Sequence, residues 1–184
     1  MFLGKLMAAL TAGFLFLAMP ALAQTDDPEN TLIMQLEDGT VTIALRPDLA
    51  PNHVERLKTL TRQGFYDGVV FHRVIDGFMA QTGDPTGTGS GGSELPDLKA
   101  EFTDTPFVRG VIGMARTNDP DSANSQFFIM FAEAPNLNGG YTVLGEVVSG
   151  MEFVDAIKKG SAADNGLVTD PDKIISLKVA ADAQ

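Results

Sequence analysis

Apolar residues recur at every second position along two short stretches near residue 30. Leu32, Met34 and Leu36 form the first stretch, and residues 41–45 form the second. An Asp38-Gly39 pair separates them, and such a pair is typical of the tight turn of a β-hairpin. The sequence therefore predicts two antiparallel strands joined by a turn at this position.

The apolar spacing then changes from two residues to three or four. Val54, Leu57 and Leu60 recur on one face of a helix, with Pro51 in its first turn. Gly64 follows the last apolar position and is typical of a helix end. The pattern predicts a helix that begins at Pro51 and ends just before Gly64.

Six more apolar runs favour strands, and one further segment favours a short helix. The predicted helix covers residues 151–159 and ends at Gly160. The sequence therefore predicts eight strands and two helices in one mostly-β domain over residues 31–184. The six strand-like runs are residues 69–75, 78–83, 111–114, 126–131, 142–148 and 173–179.

The first 23 residues have the pattern of a secretory signal. Lys5 precedes an apolar run over residues 6–17, and Ala21-Leu22-Ala23 provides a small-residue cleavage site before Gln24. The run is shorter than the roughly 20 residues that span a bilayer, although an uncleaved anchor is the alternative. We expect a signal peptide over residues 1–23, an exported periplasmic protein without stable membrane insertion, and a flexible lead-in at residues 24–30.

Composition excludes several classes of function. The chain has no cysteine, so disulfides, cysteine nucleophiles and thiolate metal sites are excluded. Its formal net charge of −11 becomes −12 once the segment that carries Lys5 is removed, because that segment has no acidic residue. Such a charge disfavours nucleic acid and anionic lipid as partners.

The chain has two histidines, and neither lies in a metal-ligand pattern, so we predict no metal and no cofactor. We interpret His53 as a helix-surface residue. His72 precedes Arg73 in a strand and so faces the other side of the sheet, where we expect it to be packed as a structural residue.

A glycine-rich stretch over residues 83–92 has the composition of a phosphate-binding loop. Such a loop requires a lysine and a following helix, but the chain continues with Ser93-Glu94-Leu95-Pro96-Asp97. The pattern instead predicts a flexible surface loop with several glycines at positive φ.

One arginine lies within an apolar region that contains a second hairpin signal. The turn Asp76-Gly77 would place Arg73 near Phe78, Met79 and Gln81 on the next strand. Because an arginine over an apolar surface is costly to desolvate, this arrangement indicates a function.

A second region has the sequence Asn124-Ser125-Gln126-Phe127-Phe128-Ile129, after Gly113-Met114-Ala115-Arg116. Side chains alternate along a strand, so Gln126 and Phe128 share one face and Phe127 takes the other. An amide is rarely buried alone, so we assign Phe128 to a pocket and Phe127 to the core.

These two regions closely resemble the cyclophilin-type peptidyl-prolyl cis/trans isomerases, over about Thr31 to Val179. The resemblance implies a closed eight-stranded antiparallel β-barrel with two helices packed on its ends. It also implies a monomeric isomerase that acts on proline-containing polypeptides during the folding of exported proteins.

The resemblance implies Arg73 as the catalytic residue. Phe78, Met79, Phe128 and Leu137 would form an apolar pocket floor, Gln81 and Gln126 would orient the peptide backbone, and the Ala115 main chain would pair with the peptide like an added strand. In cyclophilins the glycine-rich loop borders the groove. The implied substrate-binding residues are Phe78, Met79, Gln81, Ala115, Arg116, Gln126, Phe128, Leu137 and Tyr141.

Three positions depart from many eukaryotic members of the family. Asn136 replaces a tryptophan, Tyr141 a histidine and Arg116 an asparagine. Because Asn136 removes an aromatic anchor, it predicts weak binding of the cyclic peptide cyclosporin, and none of the three changes alters the chemistry of Arg73.

Two other functions remain open from the sequence. A proline-peptide-binding module or holdase chaperone could use the same groove with negligible catalysis, and a structural barrel would use neither the groove nor the arginine. Arg73 favours the enzyme, since a module that only binds has no need of the cation.

Overall fold

A computed structural model describes residues 27–183 of the chain. The predicted signal segment and residues 24–26 lie outside the described residues. Within the described part, no helix is both long and apolar enough to cross a bilayer. The helices and strands are β1 (Thr31–Gln35), β2 (Thr40–Leu45), α1 (Pro51–Arg62), β3 (Arg73–Ile75), β4 (Met79–Thr82), β5 (Val111–Met114), β6 (Phe127–Met130), β7 (Val143–Ser149), α2 (Met151–Ala156) and β8 (Ser176–Val179).

The described strands form one eight-stranded antiparallel sheet, in the order β3-β4-β6-β5-β7-β2-β1-β8. Both predicted hairpins are confirmed. Gln35 pairs with Thr40 across the first turn, and Ile75 pairs with Met79 across the second. Gly77 has a φ of +67°, which is the left-handed conformation that such a turn requires.

The predicted closed barrel is wrong, because the sheet is an open, curled half-barrel whose end strands β3 and β8 do not pair. Residues 69–72 and 173–175 were expected to extend these two strands, but neither segment joins the sheet. Isolated backbone hydrogen bonds join the segments instead: Gly68 N–H to Ile174 O, Ile174 N–H to Val69 O and Phe71 N–H to Asp172 O. We call this junction the seam.

The helices follow the predicted pattern at three of their four ends. Helix α1 begins at Pro51, and Gly64 follows its end with a φ of +70°. Helix α2 stops at Ala156 rather than at residue 159, because Ile157 adopts an extended conformation and is buried. Helix α1 packs against β8, and α2 packs against β2.

The segment before β1 forms a short helical turn that contacts helix α1. Residues 28–30 form a turn of 3₁₀ helix, and the Asp27 side chain accepts a hydrogen bond from Asn30 N. Glu29 binds Lys58 and Arg62 of helix α1 at 3.1 and 2.7 Å. These ion pairs attach residues 28–30, part of the predicted lead-in, to helix α1.

Strand alternation divides the apolar side chains between two clusters on opposite faces of the sheet. In β6, Phe127 and Ile129 belong to the main core, and Phe128 and Met130 belong to a second cluster. Phe127 packs edge-on against Tyr66 in the core, with ring centroids 5.5 Å apart. The predicted register of Phe127 and Phe128 is therefore confirmed, and the second cluster provides an apolar surface outside the main core.

Candidate functional site

A pocket of about 180 Å³ lies over the second cluster, where strands β3, β4 and β6 meet two loops. The structure brings nine of the ten predicted site residues to its lining. Gln126, the tenth, lies in an adjoining cavity. The residues that line the pocket are Arg73, Phe78, Met79, Gln81, Ala115, Arg116, Phe128, Leu137 and Tyr141.

The guanidinium of Arg73 is held by hydrogen bonds to two residues. Its Nε and Nη2 atoms donate to the backbone oxygen and Oδ1 of Asn165, at 3.0 and 3.1 Å. Its Nη1 donates to Oε1 of Gln81, the residue opposite it on β4, at 3.1 Å. Partial burial lowers the pKa of Arg73, but an arginine stays protonated at neutral pH. The pocket therefore contains an oriented positive charge.

The two predicted glutamines form a hydrogen-bonded chain behind this charge. Gln81 Nε2 donates to Gln126 Oε1 at 2.9 Å, and Gln126 Nε2 donates to the carbonyls of Gly89 and Gly91. These bonds fix the orientation of both amides, since each amide donates at one end and accepts at the other. The glycine-rich loop is thus connected to Arg73 through two side chains.

The adjoining cavity has a volume of about 490 Å³ and shares Gln81, Ala115 and Arg116 with the pocket. The glycine-rich loop forms one of its walls, as the family resemblance implies. The N–H of Ala115 already donates to Gln126 O at 2.9 Å. The added-strand pairing predicted for Ala115 therefore has to use its carbonyl.

The apolar floor rests on the ring of Phe107, which was not among the predicted site residues. Phe107 is fully buried and stacks against Phe128, with ring centroids 5.7 Å apart and an interplanar angle of 29°. Gly113 lies opposite Phe128, and a Cβ at this position would be 2.6 Å from both rings. The stacked pair therefore requires glycine at residue 113.

Two of the three positions that depart from the family pattern contact each other at the pocket. The guanidinium carbon of Arg116 lies 4.5 Å from the Tyr141 ring centroid, and the Tyr141 ring packs edge-on against Phe128. Arg116 also donates to the Gly140 carbonyl from Nε and Nη2. Asn136 is exposed and does not line the pocket.

The glycine-rich loop has the predicted positive φ angles at Gly87 and Gly89, but it is folded around the buried carboxylate of Asp84. Asp84 Oδ2 accepts hydrogen bonds from the backbone N–H groups of Gly89 and Gly91, at 2.7 and 3.1 Å. A single carboxylate therefore anchors this surface loop along much of its length.

The interpretation of His53 as a surface residue is wrong. His53 is fully buried, and its Nδ1 lies 2.6 Å from Oε2 of Glu101. His72 is buried as expected, and burial holds its pKa below the usual value. Among residues 27–183, no group of three or more histidine and carboxylate side chains could hold a metal ion.

Three residues that support the site, Asn165, Phe107 and Glu101, were not predicted as such from the sequence. An Asn165-Gly166 pair is a turn signal, and it could have identified Asn165 as a residue in the left-handed conformation. No comparable local signal distinguishes Phe107 or Glu101, because each acts through a partner distant in the sequence.

The fold and the pocket together define a β-sheet protein with an apolar site next to a fixed cation. The family model described as cyclophilin type peptidyl-prolyl cis-trans isomerase matches residues 31–179. The chain is 56% identical over 190 residues to a protein of Brucella suis biovar 1 named probable peptidyl-prolyl cis-trans isomerase, covering 96% of this chain and 97% of the relative. It is 43% identical over 128 residues to peptidyl-prolyl cis-trans isomerase B of Bacillus subtilis, covering 68% of this chain and 88% of the relative.

Solved structures support the same assignment. Cyclophilin AquaCyp293 from Hirschia baltica has a TM-score of 0.75 and 29% identity, covering 85% of this chain and 76% of the other. A Cryptosporidium parvum cyclophilin crystallised in the presence of the dipeptide Ala-Pro has a TM-score of 0.75 and 27% identity. The match covers 81% of this chain and 98% of the other. The chain belongs to the cyclophilin-type peptidyl-prolyl cis-trans isomerase family.

Proposed function

We propose that this isomerase acts on X-Pro bonds of exported polypeptides during their folding, and that Arg73 is its catalytic residue. One observation carries the proposal: a guanidinium held by Asn165 and Gln81 lies in the same pocket as an apolar floor. The Cryptosporidium relative crystallised with Ala-Pro supports a proline-containing peptide as the ligand of this pocket.

Prolyl isomerisation breaks no covalent bond, so neither a nucleophile nor a general base is required. The barrier of about 18–20 kcal/mol arises from amide resonance, which is lost in the twisted transition state. A turnover near 10³ s⁻¹ requires this barrier to fall by about 7 kcal/mol. Desolvation and electrostatic stabilisation are the available sources of that decrease.

The pocket residues can supply both effects. A proline ring on Phe128, Met79 and Leu137 excludes water, which disfavours the charge-separated planar amide more than the twisted form. The Arg73 guanidinium can donate to the imide nitrogen, whose lone pair becomes available only as resonance is lost. This interaction is stronger in the transition state than in the ground state, so it accelerates the reaction.

A refolding experiment tests catalysis against simple peptide binding. The client is a denatured, disulfide-free secretory protein whose slow refolding phase is limited by a proline. We expect the wild-type chain to accelerate this phase and Arg73→Ala to leave it slow. If wild type and variant suppress client aggregation equally and neither changes the slow phase, the chain is a holdase and the proposed catalysis is wrong.

Export is a separate part of the proposal, and residues 1–23 support it. The test is expression of the full chain in a Gram-negative bacterium, followed by fractionation and mass spectrometry of the intact protein. We expect a periplasmic product that begins at Gln24. A cytosolic product that retains Met1 would contradict export.

A further inference from the structure

Asn165 makes two of the three hydrogen bonds that the described residues provide to the Arg73 guanidinium. The Nε–H and one Nη2–H lie along the same edge of the guanidinium plane. Asn165 binds this edge with its backbone oxygen and with Oδ1, at 3.0 and 3.1 Å. Contact at two points along one edge restricts rotation of the plane more than a single hydrogen bond can.

The loop that carries Asn165 is attached to β3 on both sides of Arg73. Gly166 accepts a hydrogen bond from Val74 N at 2.8 Å, and Val168 N donates to His72 O at 3.1 Å. The distance between Asn165 and the Arg73 backbone is therefore set by main-chain bonds rather than by side chains alone.

Two adjacent residues of this loop have backbone conformations that suit this contact. Asn165 has a φ of +53° and Gly166 a φ of +82°. A Cβ on Gly166 would collide with the Ile75 side chain, so the loop can approach β3 only with glycine at this position. Asparagine is one of the few residues other than glycine that tolerate the left-handed conformation.

We infer that Asn165 is a positioning residue for catalysis, which sets the orientation of the Arg73 guanidinium toward the bound proline. This inference rests on the proposed catalytic role of Arg73. An oriented donor is effective only when it is held close to the reacting atom, and small displacements cost large factors in rate. Without the Asn165 side chain, Nη2 loses its partner, and the guanidinium keeps only single hydrogen bonds from Nε to the Asn165 backbone oxygen and from Nη1 to Gln81.

The test is Asn165→Gly, which keeps the left-handed backbone and removes only the Oδ1 contact. We expect kcat to fall about fivefold to tenfold and KM to stay within twofold, because the apolar floor is unchanged. In ¹⁵N relaxation, the Arg73 Nε–H group should become more mobile. The substrate is a proline tetrapeptide in a protease-free assay.

Asp170→Gly is the matched control, since Asp170 is the other described non-glycine residue at positive φ, with a φ of +54°. Its backbone oxygen binds Lys158 rather than Arg73. This variant gains the same backbone freedom in a nearby loop, and its kcat should equal that of the wild type. Equal kcat values for Asn165→Gly and Asp170→Gly would overturn the inference.

A double-mutant cycle separates positioning from general loop structure. In an Arg73→Ala background, Asn165→Gly should have no further effect on kcat, because its only route to the reaction has been removed. A second fivefold loss in that background would show that Asn165 acts independently of Arg73. If Arg73→Ala keeps full activity, both the proposed catalytic role of Arg73 and this inference are wrong. If Arg73→Ala loses activity and Asn165→Gly does not, only this inference is wrong.

Discussion

Two adjacent phenylalanines show how a single residue position decides between stability and function. Phe127 is 1% exposed and packs in the main core, whereas Phe128 is 5% exposed and forms the pocket floor. The two side chains differ little in burial, so burial alone does not distinguish their roles. Their roles differ because the face of strand β6 that each occupies is fixed by the two-residue alternation.

Replacing each phenylalanine by alanine should separate these roles. Phe127→Ala leaves a buried cavity and should lower the free energy of unfolding by about 3–5 kcal/mol, with normal activity of the folded fraction. Phe128→Ala removes the pocket floor, so it should cost less stability and much more activity. Denaturant unfolding and isomerase rates of both variants are the measurements, and the opposite pattern would mean that the register is displaced by one residue.

The sequence was sufficient to identify the residues that line the pocket, but it did not identify the residues that support them. Arg73 and Phe128 lie in local motifs, so alternation and family resemblance could identify them. Asn165 reaches Arg73 across 92 positions of the chain. No spacing rule predicts such a contact, because it depends on how the loop returns to β3.

Helix α1 is held at its beginning by a residue from a distant loop. Its N-cap residue, Ala50, has no side chain that could accept a hydrogen bond. Glu101 takes this role, since its carboxylate accepts from the backbone N–H groups of Asn52 and His53, at 3.2 and 3.1 Å. Burial alone would raise the pKa of Glu101, but these bonds and the His53 ring lower it.

Glu101→Ala should therefore destabilise the protein by about 2–4 kcal/mol, because it removes the cap and leaves the buried His53 ring without its partner. Glu55→Ala is the control on the same helix, where an exposed carboxylate lies 3.4 Å from Lys58. That surface pair should contribute about 0.5 kcal/mol or less. Similar unfolding midpoints for the two variants would contradict the capping role of Glu101.

The glycine-rich loop depends on one carboxylate in the same way. Burial by itself would raise the pKa of Asp84, but hydrogen bonds from Gly91, Thr86 and Gly89 lower it from 3.8 to about 2. A depressed pKa stabilises the fold above the unfolded-state value, and this stabilisation is lost as pH falls toward the folded-state value.

Asp84 should accordingly contribute about 2 kcal/mol at neutral pH, and most of this contribution should disappear between about pH 4 and pH 2. Asp84→Asn should be less stable at pH 7 and should lack this part of the acid dependence. The exposed Asp164→Asn serves as the control. Urea unfolding at pH values from 2 to 7 gives the free energy of unfolding of the wild type, Asp84→Asn and Asp164→Asn. Parallel curves for the wild type and Asp84→Asn would exclude the stabilising role of the Asp84 carboxylate.

At the scale of the described molecule, residues 27–183, the two edges of the open half-barrel are linked by the seam and not by a ladder between β3 and β8. Neighbouring strands of the sheet pair through ladders of at least three residue pairs, such as the five pairs between β1 and β2. At the seam, isolated bonds join Phe71 to Asp172 and Ile174 to Val69. The number of strands was predictable from alternation. Closure was not predictable, because it depends on whether two chain segments more than 100 positions apart become regular strands.

The seam should open more easily than the ladders. In native-state hydrogen exchange, we expect the amides of Phe71 and Ile174 to exchange through local opening, with a lower free energy than the amide of Ile33 in β1. Ile33 should exchange only with global unfolding, since its strand is paired on both sides. Equal exchange free energies at the seam and in β1 would show that the half-barrel opens as one unit.

The catalytic role of Arg73 is tested most directly by kcat/KM for Arg73→Lys and Arg73→Ala on a proline tetrapeptide. Lysine keeps the charge but lacks the planar fork that binds Asn165 and Gln81. Arg46→Ala is the control, because Arg46 forms an exposed ion pair with Asp48. We predict at least a tenfold loss for both Arg73 variants at an unchanged melting temperature, and none for the control. Wild-type kcat/KM in both Arg73 variants would contradict the mechanism.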